Sequence, residues 1–573
     1  MEGVVVVERF LIGLAGTVWG WMAIAGFSEV SAQPVPPTSP ELPPLPERFP
    51  ETDEILDSPE IPPSEVPPAS QPEAENPLEA AIAVREIRVL GNTVFSEEDL
   101  APIISQYLDR RVSFEELIAL RTAITDLYVS RGYTTSGAFV PPQDVTEGIV
   151  RIQVVEGELE AIEIEGLDRV SDGYVRRRLR RASQAPLNLY ELEAALQLLQ
   201  QNPAIETVNA ELTAGSAPGL SRLRLNLEEA FPFNGTVLLE NRNSPSVGSI
   251  RGSLNLQGNS LLGIGDRFSG EVGITDGVTE GWVEFAVPLN ARNTELQAVY
   301  RRVGSRVVRE PFDELDIRSM EEAFRLRVVH PLVETPNEEL RLGASLELQR
   351  SRTFILDDEP FSFSEGPEDG RSNVTALRLT QEWTSRSMRD VVAARSQMTF
   401  GLDLFEATSN DNAPDGVFFT WLGQFQWVRS LSPDTLLITR LATQLSTDSL
   451  LAIEQFSIGG PTTVRGYLQN QRVADSGVVG SIELRIPVVR DRGGWGILQL
   501  TPFVDAGTVW NIGIDRDLPS PSTLVGTGIG LRWELSPEFS ATVNWGIPLV
   551  EVDRRDDSLQ SDGIYFSIRY NPF

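Results

Sequence analysis

The chain has 573 residues, 41 % of them hydrophobic, and sets 48 basic side chains against 82 acidic ones for a formal net charge of −34. That length asks for several domains; the charge excludes a nucleic-acid partner, since phosphate needs a basic footprint; and no run of about 20 apolar residues after the N-terminal region leaves room for a helical membrane bundle. There is no Cys and no Lys, and His330 is the single His, so thiolate and Schiff-base nucleophiles, a phosphate-loop lysine and zinc–sulfur or two-His sites are all missing. No metal, no cofactor and no enzymatic activity are expected.

Residues 1–32 have the layout of a secretory signal peptide: Arg9, an apolar run from Phe10 to Phe27, and a small-residue cleavage site at Val30-Ser31-Ala32. Glu2 and Glu8 outweigh Arg9, which leaves an uncleaved anchor as the alternative. Residues 33–80 form an acidic linker with 15 Pro, eleven carboxylates and Arg48 as the only base. Pro at that density removes donors and fixes φ, so no core is expected; in polyproline II form the segment would reach about 150 Å.

Residues 81–156 and 157–229 read as two copies of one small unit. Ile87, Val89 and Gly91 recur as Ile162, Ile164 and Gly166 at a constant offset, an alternating strand stopped by glycine. Two helix-period segments follow in each copy. In the first, Ser96 and Ser113 are N-cap candidates, Glu116 completes a capping box, and Leu117, Leu120, Ile124 and Leu127 share a face. In the second, Tyr190, Leu192, Leu196 and Leu199 are expected to face the core. Closing strands at 149–155 and 220–227 give the order β-α-α-β-β in both. Arg176–Arg181 makes a basic cluster on an exposed helix of the second copy.

From about Phe233 the texture changes, and residues 230–573 are expected to form a transmembrane antiparallel β-barrel. Segments of about ten residues alternate apolar and polar between Gly-, Asn-, Asp- and Pro-rich turns. Phe419, Trp421, Phe425 and Trp427 oppose Thr420, Gln424 and Gln426, with Leu422 breaking the polarity; Val283, Phe285 and Val287 oppose Glu284 and Ala286; Ile564, Phe566, Ile568 and Tyr570 oppose Tyr565, Ser567, Arg569 and Asn571. This is the pattern of strands with lipid on one side and a polar lumen on the other, and about 21 residues per strand gives roughly 16 strands.

The densest motif region is 450–507. Val464-Arg465-Gly466-Tyr467 stands in a Gly- and Thr-rich stretch, Glu483 and Arg485 share a strand face, and Phe503-Val504-Asp505-Ala506-Gly507 lies on the next strand. A guanidinium that leaves bulk water needs a carboxylate, and arginine grips one in two places; Asp505 is the candidate, with Glu483 and Arg485 extending the network. Gly466 permits a tight turn, and Tyr467 can bury its ring while its hydroxyl finds a partner.

These motifs, the segment 261–266 (Leu-Leu-Gly-Ile-Gly-Asp) and the paired repeats resemble the two-partner secretion transporters of the ShlB/FhaC/HecB haemolysin secretion and activation family, within the superfamily of outer-membrane assembly factors. The resemblance covers about residues 84–573. It implies that the repeats are polypeptide-transport-associated (POTRA) domains in the periplasm, that V-R-G-Y is a lumen-loop motif with F-x-D-x-G as its barrel-wall partner, and that a monomeric barrel in the outer-membrane lipid passes an unfolded exoprotein outward. An assembly factor that inserts other barrels shares the lumen motif and is the alternative.

Overall fold

The computed structural model describes residues 81–572 except 357, 412, 413, 433, 491–493, 514–519 and 553–556. The expected signal peptide, the linker and Phe573 lie outside the described residues. The chain divides into two compact units, an α/β unit that ends at Phe231 and a barrel that begins at Pro232, with residues 262–264 grouping with the first.

The first repeat runs β1 (Ile82–Val84), β2 (Glu86–Leu90), α1 (Glu97–Ile104), β3 (Arg110–Val112), α2 (Phe114–Ser130), β4 (Gly137–Phe139) and β5 (Ile149–Val155). Its sheet has the order β2-β5-β4, with β2 parallel to β5. The expected β-α-α-β-β order is complete, and a ribbon of β1 and β3 is added to it. That ribbon buries Val84 and Val112, but three residues per strand are too few to show a period. Both helices start on capping boxes, Ser96 with Asp99 and Ser113 with Glu116. On α2 the core positions are Leu117, Leu120, Ile124 and Tyr128; Leu127, expected among them, is only half-buried, because the helical stripe drifts onto Tyr128.

The second repeat runs β6 (Glu158–Glu165), α3 (Asp172–Ala182), α4 (Leu189–Gln200), β7 (Ile205–Ala214) and β8 (Leu220–Glu229), with sheet order β6-β8-β7. Leu192 and Leu199 enter its core with Leu196 against them, whereas Tyr190 is 59 % exposed: it stands in the first turn, just after the N-cap Asn188, which accepts its amide. On α3, Arg177, Arg180 and Arg181 are exposed, and the Arg178 guanidinium lies 3.6 Å over the Tyr174 ring.

The two repeats share a stop device. Gly91 and Gly166 have φ +76° and +87°, and a Cβ there would come within 2.4 Å of the Val154 carbonyl oxygen and 2.1 Å of that of Leu227. The turn that follows is then capped by a glutamate from the end of the closing strand. Glu156 accepts the Thr93 amide at 2.6 Å and the Val94 amide at 3.2 Å, with the Tyr128 hydroxyl at 2.8 Å. Glu229 accepts the amides of Asp168, Arg169 and Val170 at 3.0, 2.8 and 2.7 Å. Burial disfavours the charged form of Glu156, but the bonds from Thr93, Tyr128 and Val94 outweigh it and hold the carboxyl below its ordinary range.

The second unit is a closed antiparallel barrel. Its strands are β9 (Phe233–Glu240), β10 (Arg251–Asn259), β11 (Arg267–Ile274), β12 (Val278–Pro288), β13 (Glu295–Arg306), β14 (Arg318–Glu334) and β15 (Glu338–Ile355), then the two-residue β16 (Glu359–Pro360). They continue as β17 (Arg371–Arg386), β18 (Asp390–Leu402), β19 (Phe419–Ser432) and β20 (Thr435–Ser446). A ribbon of β21 (Phe456–Ile458) and β22 (Arg472–Ala474) interrupts the series before β23 (Ser476–Val489), β24 (Ile497–Trp510), β25 (Thr523–Ser536), β26 (Phe539–Pro548) and β27 (Ile564–Tyr570). Leaving out β16, β21 and β22, sixteen strands close the ring among the described residues, as the segment length predicts.

Closure removes the edges that a membrane would not tolerate. The seam between β27 and β9 is short, from Ser567↔Glu240 to Tyr570↔Val237. Beyond it Asn241 prolongs the pairing with its side chain, donating to Ile564 O at 2.9 Å and accepting the Phe566 amide at 2.7 Å. Alternation orients the wall. Leu377 and Leu379 are exposed on the lipid side of β17, and Arg378 between them is buried on the lumen side. Lumen charges pair across strands, as in Arg327–Glu382 at 2.8 Å, and Arg251 serves Glu240, Glu271 and Glu280 together.

Candidate functional site

The interruption after β20 is a loop of residues 447–475 that folds against the inner wall. Its two strands, β21 and β22, make it a hairpin, and its tip carries Val464 to Tyr467. An apolar underside seats it: Phe456, Ile458, Val464 and Tyr467 pack with the wall residues Leu422, Val479, Val509 and Leu524. Leu422 is the residue that broke the polar face of β19, and it faces the loop instead of water.

Arg465 is 5 % exposed. Its Nε and Nη2 donate to the two oxygens of Asp505 at 2.8 and 2.9 Å, and its own amide donates to Asp505 at 3.0 Å. Nη1 donates to Glu483 at 2.6 Å, and Arg485 reaches the other Glu483 oxygen at 3.2 Å. Ser481 donates to Asp505 at 2.6 Å. The guanidinium also lies 3.5 Å over the Phe503 ring, a stacking that arginine's planar cation allows. Every contact of the Arg465 guanidinium is charge-assisted or stacked. A pair so buried costs roughly 3–5 kcal/mol to break from one side, because the charge left behind is unpartnered.

The alternation of β24 explains the F-x-D-x-G spacing. Phe503, Asp505 and Gly507 all point inward while Val504 is exposed. Phe503 stacks, Asp505 binds, and Gly507 clears space: a Cβ there would stand 3.3 Å from Ile458 of the loop. Gly466 has φ +104° and lies against the backbone of β26, where a Cβ would come 2.9 Å from Pro548 N. The Tyr467 hydroxyl is 2.8 Å from Val525 O and accepts the Val550 amide at 3.1 Å. The structure thus brings all nine residues singled out in the sequence to one place.

It adds others. Gly526 and Gly546 leave bare backbone under the tip, since a Cβ on Gly526 would come 2.0 Å from Arg465 O and one on Gly546 2.4 Å from Gly466 N. Gly528 clears the Phe503 ring, 2.5 Å from where its Cβ would be. Glycines on alternate positions of one strand, Gly526, Gly528 and Gly530, were a legible signal of close approach. Tyr565 on β27 accepts the Gly466 amide at 2.8 Å and donates to Tyr467 O at 2.7 Å. Gln560 accepts the Gln469 amide at 2.9 Å and donates to Asn241 O and Asn243 O at 2.6 and 2.7 Å. Neither carries a motif, and only the fold brings them to the tip. Away from this site, His330 sits on β14 with its ring 2.8 Å from the Thr294 hydroxyl, and the turn at 261–266 buries Asp266.

Residues 219–533, more than half of the chain, match the family described as haemolysin secretion/activation protein ShlB/FhaC/HecB, and residues 82–157 match the ShlB-type POTRA domain. The outer membrane transporter CdiB of Escherichia coli O6:K15:H31 (strain 536 / UPEC) is 26 % identical over 499 residues, 82 % of this chain and 79 % of the relative. The heme/hemopexin transporter protein HuxB of Haemophilus influenzae (strain ATCC 51907 / DSM 11121 / KW20 / Rd) is 21 % identical over 437 residues, 74 % and 75 % of the two chains. Among solved structures, CdiB from Escherichia coli shares the fold with a TM-score of 0.67 at 22 % identity, over 88 % of this chain and 93 % of that one. BamA from Haemophilus ducreyi lacking POTRA domains 1-3 does so with 0.52 at 15 % identity, over 86 % and 100 %.

Proposed function

This chain belongs to the haemolysin secretion/activation family of the ShlB/FhaC/HecB type, and from that premise we propose how its parts carry out transport. The protein is an outer-membrane transporter of two-partner secretion, with its POTRA domains in the periplasm. An unfolded exoprotein of haemolysin or adhesin type meets the two repeats first. Their sheets end on the edge strands β2, β4, β6 and β7, and an extended segment that adds to such an edge gains backbone bonds with little demand on its sequence. The cargo then passes through the polar lumen. One chain closes the barrel by itself, which supports a monomeric transporter.

The observation that carries the site is the grip of Asp505 on both the guanidinium and the amide of Arg465. It ties loop backbone and loop side chain to one wall carboxylate, so the hairpin is held in a single seat, and that seat is the conformation transport needs. Arg465→Ala abolishes release of the exoprotein while the barrel remains heat-modifiable in outer-membrane fractions. Loss of the barrel itself from the membrane would reduce the pair to an assembly role. Deleting the gene and comparing secreted proteins tests the wider reading: a secreted β-rich protein disappears, whereas depletion of other barrels from the membrane with secretion intact would favour the assembly factor.

A further inference from the structure

The loop is held at a second place, apart from the V-R-G-Y and F-x-D-x-G runs. Before the tip, the chain makes one 3-10 turn at Ala452–Glu454. Leu450, Leu451 and Ile453 of this stem pack on Val374, Ala376 and Phe418 in an apolar cluster separate from the one under the tip. Glu454, 7 % exposed, receives a two-pronged grip from Arg378 of β17, at 2.7 and 3.2 Å. The remaining Nε of Arg378 donates to Glu347 of β15 at 2.7 Å, and Glu347 also takes Arg325 of β14 at 2.9 Å.

These four groups form a neutral chain, Arg325–Glu347–Arg378–Glu454, in which the loop supplies the last carboxylate. Without Glu454, Arg378 keeps Glu347 and the Thr399 hydroxyl, the latter at 3.2 Å, but its fork loses the carboxylate that the loop supplies. The polarity is the reverse of that at the tip. There the loop offers an arginine to wall carboxylates; here it offers a carboxylate to a wall arginine. Each clamp therefore repels the other's loop partner, so the hairpin fits the wall in one register. The two clamps also lie on different strands, β17 on one side of β20 and β24 on the other, so the loop spans the wall between them.

We propose that Arg378 and Glu454 are positioning residues for transport, a stem clamp that sets the register of the loop so that Arg465 meets Asp505. The functional half of this rests on the reading that the seated loop is needed for transport; the clamp itself is tested apart from it. The chain has no Cys, so one introduced thiol is unique. Ile453→Cys reports the stem and Val464→Cys the tip, both at positions at most 3 % exposed, each probed with a membrane-impermeant maleimide on the full chain in outer membranes. With the clamp intact both thiols react slowly. Arg378→Gln raises the rate at Ile453→Cys at least tenfold and lowers exoprotein release several-fold in the Cys-free chain, and Arg378→Lys restores part of both. If Arg378→Gln does not reach the membrane as a heat-modifiable barrel, Glu454→Gln, which leaves Arg378 on Glu347, gives the same two readouts. Unchanged protection at Ile453→Cys in both variants overturns the clamp. Raised labelling with full secretion leaves the clamp standing and overturns its part in transport.

Discussion

Asp505 and Glu156 are both carboxylates that collect backbone and side-chain donors, and they respond differently to substitution. Asp505→Asn removes charge from beneath a buried guanidinium and loses roughly 3–5 kcal/mol of loop seating, so exoprotein release should fall as far as in Arg465→Ala; a secretion assay with matched barrel levels checks it. Gly526→Ala attacks the same seat by volume, because its Cβ would stand 2.0 Å from Arg465 O, and the expected result is a raised tip with secretion lost and the barrel intact. Glu156 works in water's reach. Its carboxyl is held low in the folded unit, so its stabilising bonds are present above the ordinary carboxylate value, about 4.3, and are lost as pH falls through the lowered folded value. Hydrogen exchange at the Thr93 and Val94 amides, compared with other amides of the unit at the same pH, should show protection at pH 6 that disappears in acid. In Glu156→Gln it should be weakened at every pH, by about 1 kcal/mol. Of these residues the sequence named Asp505, through a motif, and passed over Gly526 and Glu156. Glu156 was hidden because its partners are amides 62 and 63 residues away, which no local pattern shows.

Strands and helices were legible wherever a period ran long enough. The wall strands alternate over seven residues in β27 and up to eighteen in β15, and the helices follow from apolar stripes and polar N-caps. Failures came where an element is short or where a neighbour changes the rule. The ribbon of β1 and β3 had three residues per strand. Tyr190 entered the expected core because it is large and near the stripe, yet it sits in the first turn, outside the packed face. Leu422 was visible as an exception on a polar face, and its cause, a hairpin folded against it, lies in another element. Strand pairing also predicts where the wall yields. β14 and β15 pair from Arg318↔Phe354 to Glu334↔Glu339, and β27 meets β9 only from Ser567↔Glu240 to Tyr570↔Val237. Amides of β27 should therefore exchange well before those of β14, as measured by hydrogen exchange of the detergent-solubilised barrel.

At the scale of the molecule the charge is divided by task. Residues 33–80 carry eleven carboxylates and one arginine, while in the lumen carboxylates and arginines meet in pairs and chains. With arginine as the only strong base, every wall cation has a planar fork able to hold two partners, as Arg251, Arg378 and Arg465 each do.

The hydroxyl of Tyr565 belongs to the last strand of the ring and serves the tip of the loop, and the amide of Gln560 joins that tip to the chain just after the first strand. Loop and seam thus share bonds. Whatever lifts the hairpin from the pore also strips the closing strand of partners, and whatever loosens that strand weakens the hairpin's hold, by the same free energy in each direction. Exchange of β27 amides in Arg465→Ala should accordingly quicken, although the mutated side chain touches neither seam strand. In such a barrel, bore and circumference are not separate settings.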